Sequence, residues 1–177
     1  TQAPHSVKGK LAGVYELEPE QVHVIAPAVG GGFGAKINLQ TDELLLPWVS
    51  RKVDQPIRWA ESRSESMVSM PHGRGQVHKI EIGGSRDGKV EAYRLTVLQD
   101  VGAYPGMGTF LPFMTRTMAP GTYDIAKVEC NTKSVMTNTT PIEAYRGAGR
   151  PEATAAVERA FDLFAAEIGM DPVEVRR

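Results

Sequence analysis

The sequence predicts an α+β fold, an antiparallel or mixed sheet with helices packed on it. Two alternating β runs joined by a Gly/Asp-Gly loop supply a hairpin, a third β run follows them, and a long helical pattern opened by a proline closes the chain. At 177 residues and 41% hydrophobic content the chain is long enough to bury a real core.

Taken in order, Pro4 to Val14 carries Val7, Leu11 and Val14 at spacings of four and three, which predicts a short amphipathic helix despite Gly9 and Gly13. Glu18-Pro19-Glu20 breaks the chain, and Val22 to Ala26 reads as a short strand leading into a glycine loop. Thr41-Asp42-Glu43 opens a helix with Leu44, Leu45, Trp48 and Val49 on one face. Pro47 lies in its middle, so a late start or a kink is expected there. Pro56 to Trp59 reads as a second short strand.

Gln76 to Ile82 sets Val77, Lys79 and Glu81 against His78, Ile80 and Ile82, and Lys89 to Gln99 alternates again, not quite in phase. Asp87-Gly88 between them supplies the turn of an antiparallel hairpin. Asp100 to Gly108, with three glycines and Pro105, reads as loop. Phe110, Leu111, Phe113 and Met114 fit neither strand alternation nor a full helical face, so they either form an exposed apolar surface or fill the core under the hairpin. Ala126 to Val135 is the third strand. The last long helix has Pro151 at its start, Glu152 in its first turn, and Ala155, Ala156, Ala160, Phe161, Leu163, Phe164 and Ile168 at helical spacing.

Composition excludes several function classes. A net charge of −1 without a basic stripe gives no reason to expect nucleic acid or an anionic membrane as partner. Cys130 is the only cysteine, so there is no disulfide framework and no Cys cluster for zinc or iron–sulfur ligation, and no metal-ligating set is assigned. A reducing, cytoplasmic compartment fits. No apolar run approaches a membrane span. The start at Thr1-Gln2, without Met, predicts a segment of something longer.

Two loops carry the chemistry. Gly30-Gly31-Gly32-Phe33-Gly34-Ala35-Lys36 sets an aromatic among four glycines, which lets backbone N–H groups approach an oxyanion or a flat ring. The alternative reading is a tight strand-to-helix turn. As a dinucleotide fingerprint it fails at the third glycine, where Ala35 stands. Ala144-Tyr145-Arg146-Gly147-Ala148-Gly149-Arg150-Pro151-Glu152 places glycine-flanked arginine ahead of a helix N-terminus, where orphan backbone donors and a fixed charge face an anion. The other reading is that Arg146 and Arg150 cap carbonyls or pair with Glu143 and Glu152.

In their order and spacing these loops resemble those of the molybdenum-cofactor subunit of the xanthine dehydrogenase and aldehyde oxidase family, which includes carbon monoxide dehydrogenase large subunits. The resemblance takes in Thr1-Gln2, Asp100-Val101-Gly102-Ala103-Tyr104 and the closing Gly169 to Arg177. It implies that residues 1–177 are the first part of a molybdopterin-binding region, with room for two interleaved subdomains. It further implies that Gln2 hydrogen-bonds an oxygen ligand of the metal, that amides around Gly32, Phe33 and Gly34 face the cofactor, and that Arg146, followed by Gly147, approaches the metal site largely through backbone. The implied cofactor is molybdenum-molybdopterin, as mono- or dinucleotide, with iron–sulfur clusters and FAD on partner domains or subunits. The family's catalytic glutamate lies in its C-terminal half, and no residue here matches it.

Departures narrow the substrate. The glutamate that purine-oxidising members carry after the loop lysine is Ile37 here, and the copper-holding cysteine of carbon monoxide oxidisers is Gly147. Arg116 is left open as a purine-binding arginine. The expectation is insertion of water-derived oxygen into an aldehyde or heteroaromatic C–H, with the two loops side by side, no cofactor held by the isolated piece, and self-association of that piece. Two rivals stand beside it. One is a non-catalytic docking module; the other is nucleotide binding through the glycine loop, with Glu61 meeting a ribose at the end of the next strand.

Overall fold

The computed structural model describes residues 1–177. The chain divides into two compact units, Thr1–Pro71 and His72–Arg177.

The first unit is helical. Helix α1 spans Pro4–Val14, with Pro4 at the position where a missing N–H costs nothing. It buries Val7, as the spacing predicts, together with Ala12, with Leu11 half-buried, whereas Val14 is exposed. Helix α2 spans Thr41–Val53 and runs from Thr41 straight through Pro47, with no late start. Its start is fixed by Glu43, whose Oε2 accepts the Gln40 amide at 2.9 Å, and its acidic first turn and basic last turn both suit the helix dipole. Helix α3 spans Arg63–Ser69, opened by a reciprocal Ser62/Glu65 capping box. Neither Val22–Ala26 nor Pro56–Trp59 is a strand, because neither has a ladder partner. A β-prone run becomes a strand only when a neighbour pairs with it. The nucleotide-binding rival loses its second strand with this finding.

The second unit holds a three-stranded mixed sheet in the order β1-β2-β3, with β1 Gln76–Gly84, β2 Val90–Gly102 and β3 Lys127–Met136. Strands β1 and β2 form the expected antiparallel hairpin, and β3 lies parallel to β2. The break in phase along β2 has a structural cause: Gly84 faces Val90 and Gly83 faces Ala92, which leaves Glu91 as the extra residue of a bulge. Beyond it Tyr93, Leu95, Val97, Gln99 and Val101 all point inward. Strand β2 runs to Gly102, into the stretch predicted as loop.

Between β2 and β3 lie a short 3-10 turn, Met107–Phe110, and helix α4, Leu111–Thr117. The apolar run there splits as a one-sided helix would split it. Leu111 is buried, while Phe110 and Phe113 are 69% and 59% exposed. Helix α5, Arg150–Ile168, packs its Ala153, Ala156, Val157, Ala160, Phe161 and Phe164 inward; Ala155 and Leu163 face out. Tyr123 stacks on Phe161 at a centroid distance of 4.0 Å. Gly169 ends the helix in the left-handed region, and the Met170 amide returns to the Ala165 carbonyl at 2.9 Å. A final turn, α6, spans Pro172–Val175.

Candidate functional site

In the first unit the glycine loop is built around Gln2. The Gln2 amide donates to the Lys36 carbonyl at 3.0 Å, and its side-chain Oε1 accepts the amides of Gly34 at 3.0 Å and Lys36 at 3.3 Å. A Cβ on residue 32 would lie 2.1 Å from that Oε1, so Gly32 is the gap through which the carboxamide enters. The amide of Gly34, expected to face a cofactor, is thus taken by Gln2. Because both partners are N–H donors, the carboxamide turns its oxygen to the loop, and its NH2 end, a pure donor, takes no part in these two bonds. Phe33 holds φ +52° in the left-handed region with its ring 55% exposed, an arrangement uncommon for a bulky residue. Lys36 Nζ closes the loop on the Val29 carbonyl at 3.0 Å.

In the second unit the loop from Tyr145 to Gly149 leads into α5. Arg74, which sequence reasoning missed, reaches it from before β1. Its Nη2 donates to the Arg146 carbonyl at 2.8 Å, its Nη1 to the Tyr145 carbonyl at 3.4 Å, and the guanidinium sits 4.8 Å from the Tyr145 ring centroid. Glu152, 7% exposed in the first turn of α5, pairs with Arg74 at 3.3 Å. Arg150 Nη1 donates to the Gly147 carbonyl at 3.4 Å, in keeping with the carbonyl-capping reading for that arginine.

A buried polar chain runs beneath. Gln76 Nε2 donates to Gln99 Oε1 at 2.8 Å and to Thr115 Oγ1 at 3.0 Å, with Gln99 and Thr115 wholly buried. Gln76 Oε1 lies 2.8 Å from His78 Nε2, which assigns the ring proton to Nε2. Burial pushes the His78 imidazole below its ordinary value, and the nearby Glu152 carboxylate opposes that shift. Asp100 ties the end of β2 to the segment after β3, accepting from the Gly102 amide at 2.8 Å, Thr137 Oγ1 at 2.7 Å and Thr139 Oγ1 at 3.0 Å. The Thr137 hydrogen bond, with the Gly102 amide, holds its carboxyl below the usual range. No group of three or more His, Cys, Asp or Glu side chains is placed to hold a metal ion.

A small mixed sheet with helices packed on it defines a domain of the α+β class. Comparison with known proteins makes this specific. The sequence model of the molybdopterin cofactor-binding domain matches residues 1–177, and the chain belongs to that family. It is 33% identical over 181 residues to the nicotine 6-hydroxylase large subunit of Paenarthrobacter nicotinovorans, covering 100% of this chain and 22% of that one. It is 31% identical to the carbon monoxide dehydrogenase large chain of Hydrogenophaga pseudoflava, covering 99% and 22%. Among solved structures, quinoline 2-oxidoreductase from Pseudomonas putida 86 superposes with a TM-score of 0.92 at 31% identity, over 99% of this chain and 23% of that one. The chain therefore spans about a fifth of the length of these relatives.

The residues present fit such a cofactor. Its phosphate and metal-bound oxygens are hydrogen-bond acceptors, and Gln2 offers a donor end already oriented by its own oxygen. No helix of the chain is long and apolar enough to cross a membrane.

Proposed function

We propose that the full-length protein is a molybdenum hydroxylase, an oxidoreductase that inserts water-derived oxygen into an aldehyde or heteroaromatic C–H, and that this chain supplies part of its cofactor cradle. The observation that carries the reading is the Gln2 carboxamide, held through its oxygen by the Gly34 and Lys36 amides so that neither bond uses its NH2 end. Relatives named for nicotine 6-hydroxylation and quinoline 2-oxidation support the heteroaromatic class.

When bound, the molybdenum-molybdopterin, in mono- or dinucleotide form, supplies two-electron redox chemistry. The residues here bind and orient. Gln2 would donate through Nε2 to an acceptor oxygen of the cofactor and Phe33 would offer its ring to it, while Gly32 gives Gln2 room and the Gly34 amide holds its oxygen. In the second unit Arg146 and Gly147 contribute backbone donors. The proton-accepting base lies in the remainder of the subunit, while Ile37 and Gly147 of this chain stand at positions that narrow the substrate. Electrons leave to iron–sulfur clusters and FAD on partner domains or subunits, and a cytoplasmic location suits that assembly.

Metal and pterin analysis of the purified full-length protein tests the reading. Stoichiometric molybdenum and pterin that fall in Gln2→Ala are expected. A full-length protein that holds neither is the docking module instead.

A further inference from the structure

We propose that Arg74 is the positioning residue that aims the backbone donors of the second loop, an inference that rests on the cofactor-binding role given above. One guanidinium takes two successive carbonyls, Tyr145 at 3.4 Å and Arg146 at 2.8 Å. The chain contains no cis peptide bond, and a trans peptide points its N–H opposite its C=O. With the Arg146 carbonyl drawn to Arg74 and the Tyr145 carbonyl shared between Arg74 and the Ala148 amide, which donates to it at 2.7 Å, the N–H groups of Arg146 and Gly147 are directed to the other side of the loop, as an oxyanion would require.

Three features show that the arrangement is built rather than incidental. Arg74 itself holds φ +77°, a strained conformation for a long side chain. The segment before it passes so close under the loop that a Cβ on residue 73 would lie 2.7 Å from Tyr145 Cβ, which only Gly73 allows. The charge of Arg74 is matched by Glu152, whose side chain is 5% exposed and sits in the first turn of α5, where the helix dipole favours a carboxylate. A lysine there retains the charge for Glu152, but as a point donor it lacks the planar fork that spans two carbonyls and a carboxylate together.

The test uses the full-length protein with Arg74→Lys and Arg74→Gln, read in two ways. Amide hydrogen exchange over residues 145–149 in cofactor-free protein is expected to rise about tenfold in both variants while α5 stays protected. In cofactor-loaded protein the Mo(V) electron paramagnetic resonance spectrum is expected to change in Arg74→Lys, whose melting temperature stays near that of the parent. Parental exchange and an unaltered spectrum in Arg74→Lys overturn the proposal, and that variant decides the matter if Arg74→Gln does not fold. Absence of cofactor from the unsubstituted protein would instead overturn the functional reading, leaving the exchange result to judge Arg74.

Discussion

The carboxamide oxygen of Gln2 lies 3.0 Å from the amide nitrogen of Gly34, and an ideal Cβ on the intervening Gly32 would overlap it at 2.1 Å. The loop and the residue that precedes α1 are therefore one device, in which Gly32 provides room, Gly34 and Lys36 provide donors, and Gln2 is aimed.

Gly32→Ala separates aim from fold. An added Cβ would meet Oε1 at 2.1 Å, Cδ at 2.6 Å and Cβ at 3.0 Å of Gln2, so the carboxamide must leave the loop and the chain around Gln2 must give slightly, at a cost on the order of 1 kcal/mol. Cofactor retention by the full-length protein falls about tenfold or more, the effect of losing a charge-assisted hydrogen bond. Thermal melting beside molybdenum analysis checks both halves.

Tyr93 is 1% exposed and its hydroxyl has no hydrogen-bond partner; burial pushes its pKa up to about 12. An unsatisfied buried hydroxyl costs on the order of 1–3 kcal/mol. Tyr93→Phe is accordingly expected to be neutral or stabilising by about 1 kcal/mol, measured by chemical denaturation. A loss of 2 kcal/mol or more, on the order of a lost buried hydrogen bond, would mean the hydroxyl has a partner.

Acid stability follows from His78 and Asp100. The folded His78 binds its proton below the ordinary value of 6.5, so the unfolded chain takes up a proton first and stability drops as pH falls below that value. Asp100 is held below 3.8, and its contribution, complete above that value, is lost as pH falls through the folded pKa. Unfolding free energies from denaturant titrations are expected to stay level from pH 8 to about 6.5, to decline from there to pH 5 by at most about 1.4 kcal/mol per pH unit for one proton, and to decline less in His78→Gln.

Much of the second unit was legible because its signals are local. The alternation of His78, Ile80 and Ile82, the Asp87-Gly88 turn and the Pro151 and Gly169 punctuation of α5 each fix an element without outside help. The runs Val22–Ala26 and Pro56–Trp59 misled because pairing partners are not written in a strand's own sequence. Gln2 and Arg146 were proposed from their motifs. Arg74 was not, although its signal was present: an arginine between Gly73 and Gly75 marks a tight, strained passage. Its contact with a loop more than seventy residues away is a tertiary fact.

Surface exposure sets the behaviour of the isolated chain. Phe110 and Phe113 are exposed in the second unit, and Trp48 and Trp59 are about half exposed in the first. Patches of this kind drive association. The 177-residue piece is expected to self-associate over a concentration series in light scattering, and Phe110→Ser with Phe113→Ser to reduce it. A monomer at all concentrations would show these side chains to be harmless in isolation.

If the donor end of Gln2 serves a molybdenum cofactor, a crystal structure of the full-length protein, with anomalous data collected at the molybdenum edge, will show it directly. A molybdenum peak is expected whose cofactor has an acceptor oxygen at hydrogen-bond distance from Gln2 Nε2, with Gln2 Oε1 still on the Gly34 and Lys36 amides. No molybdenum peak, or one with the Gln2 carboxamide facing elsewhere, would contradict it.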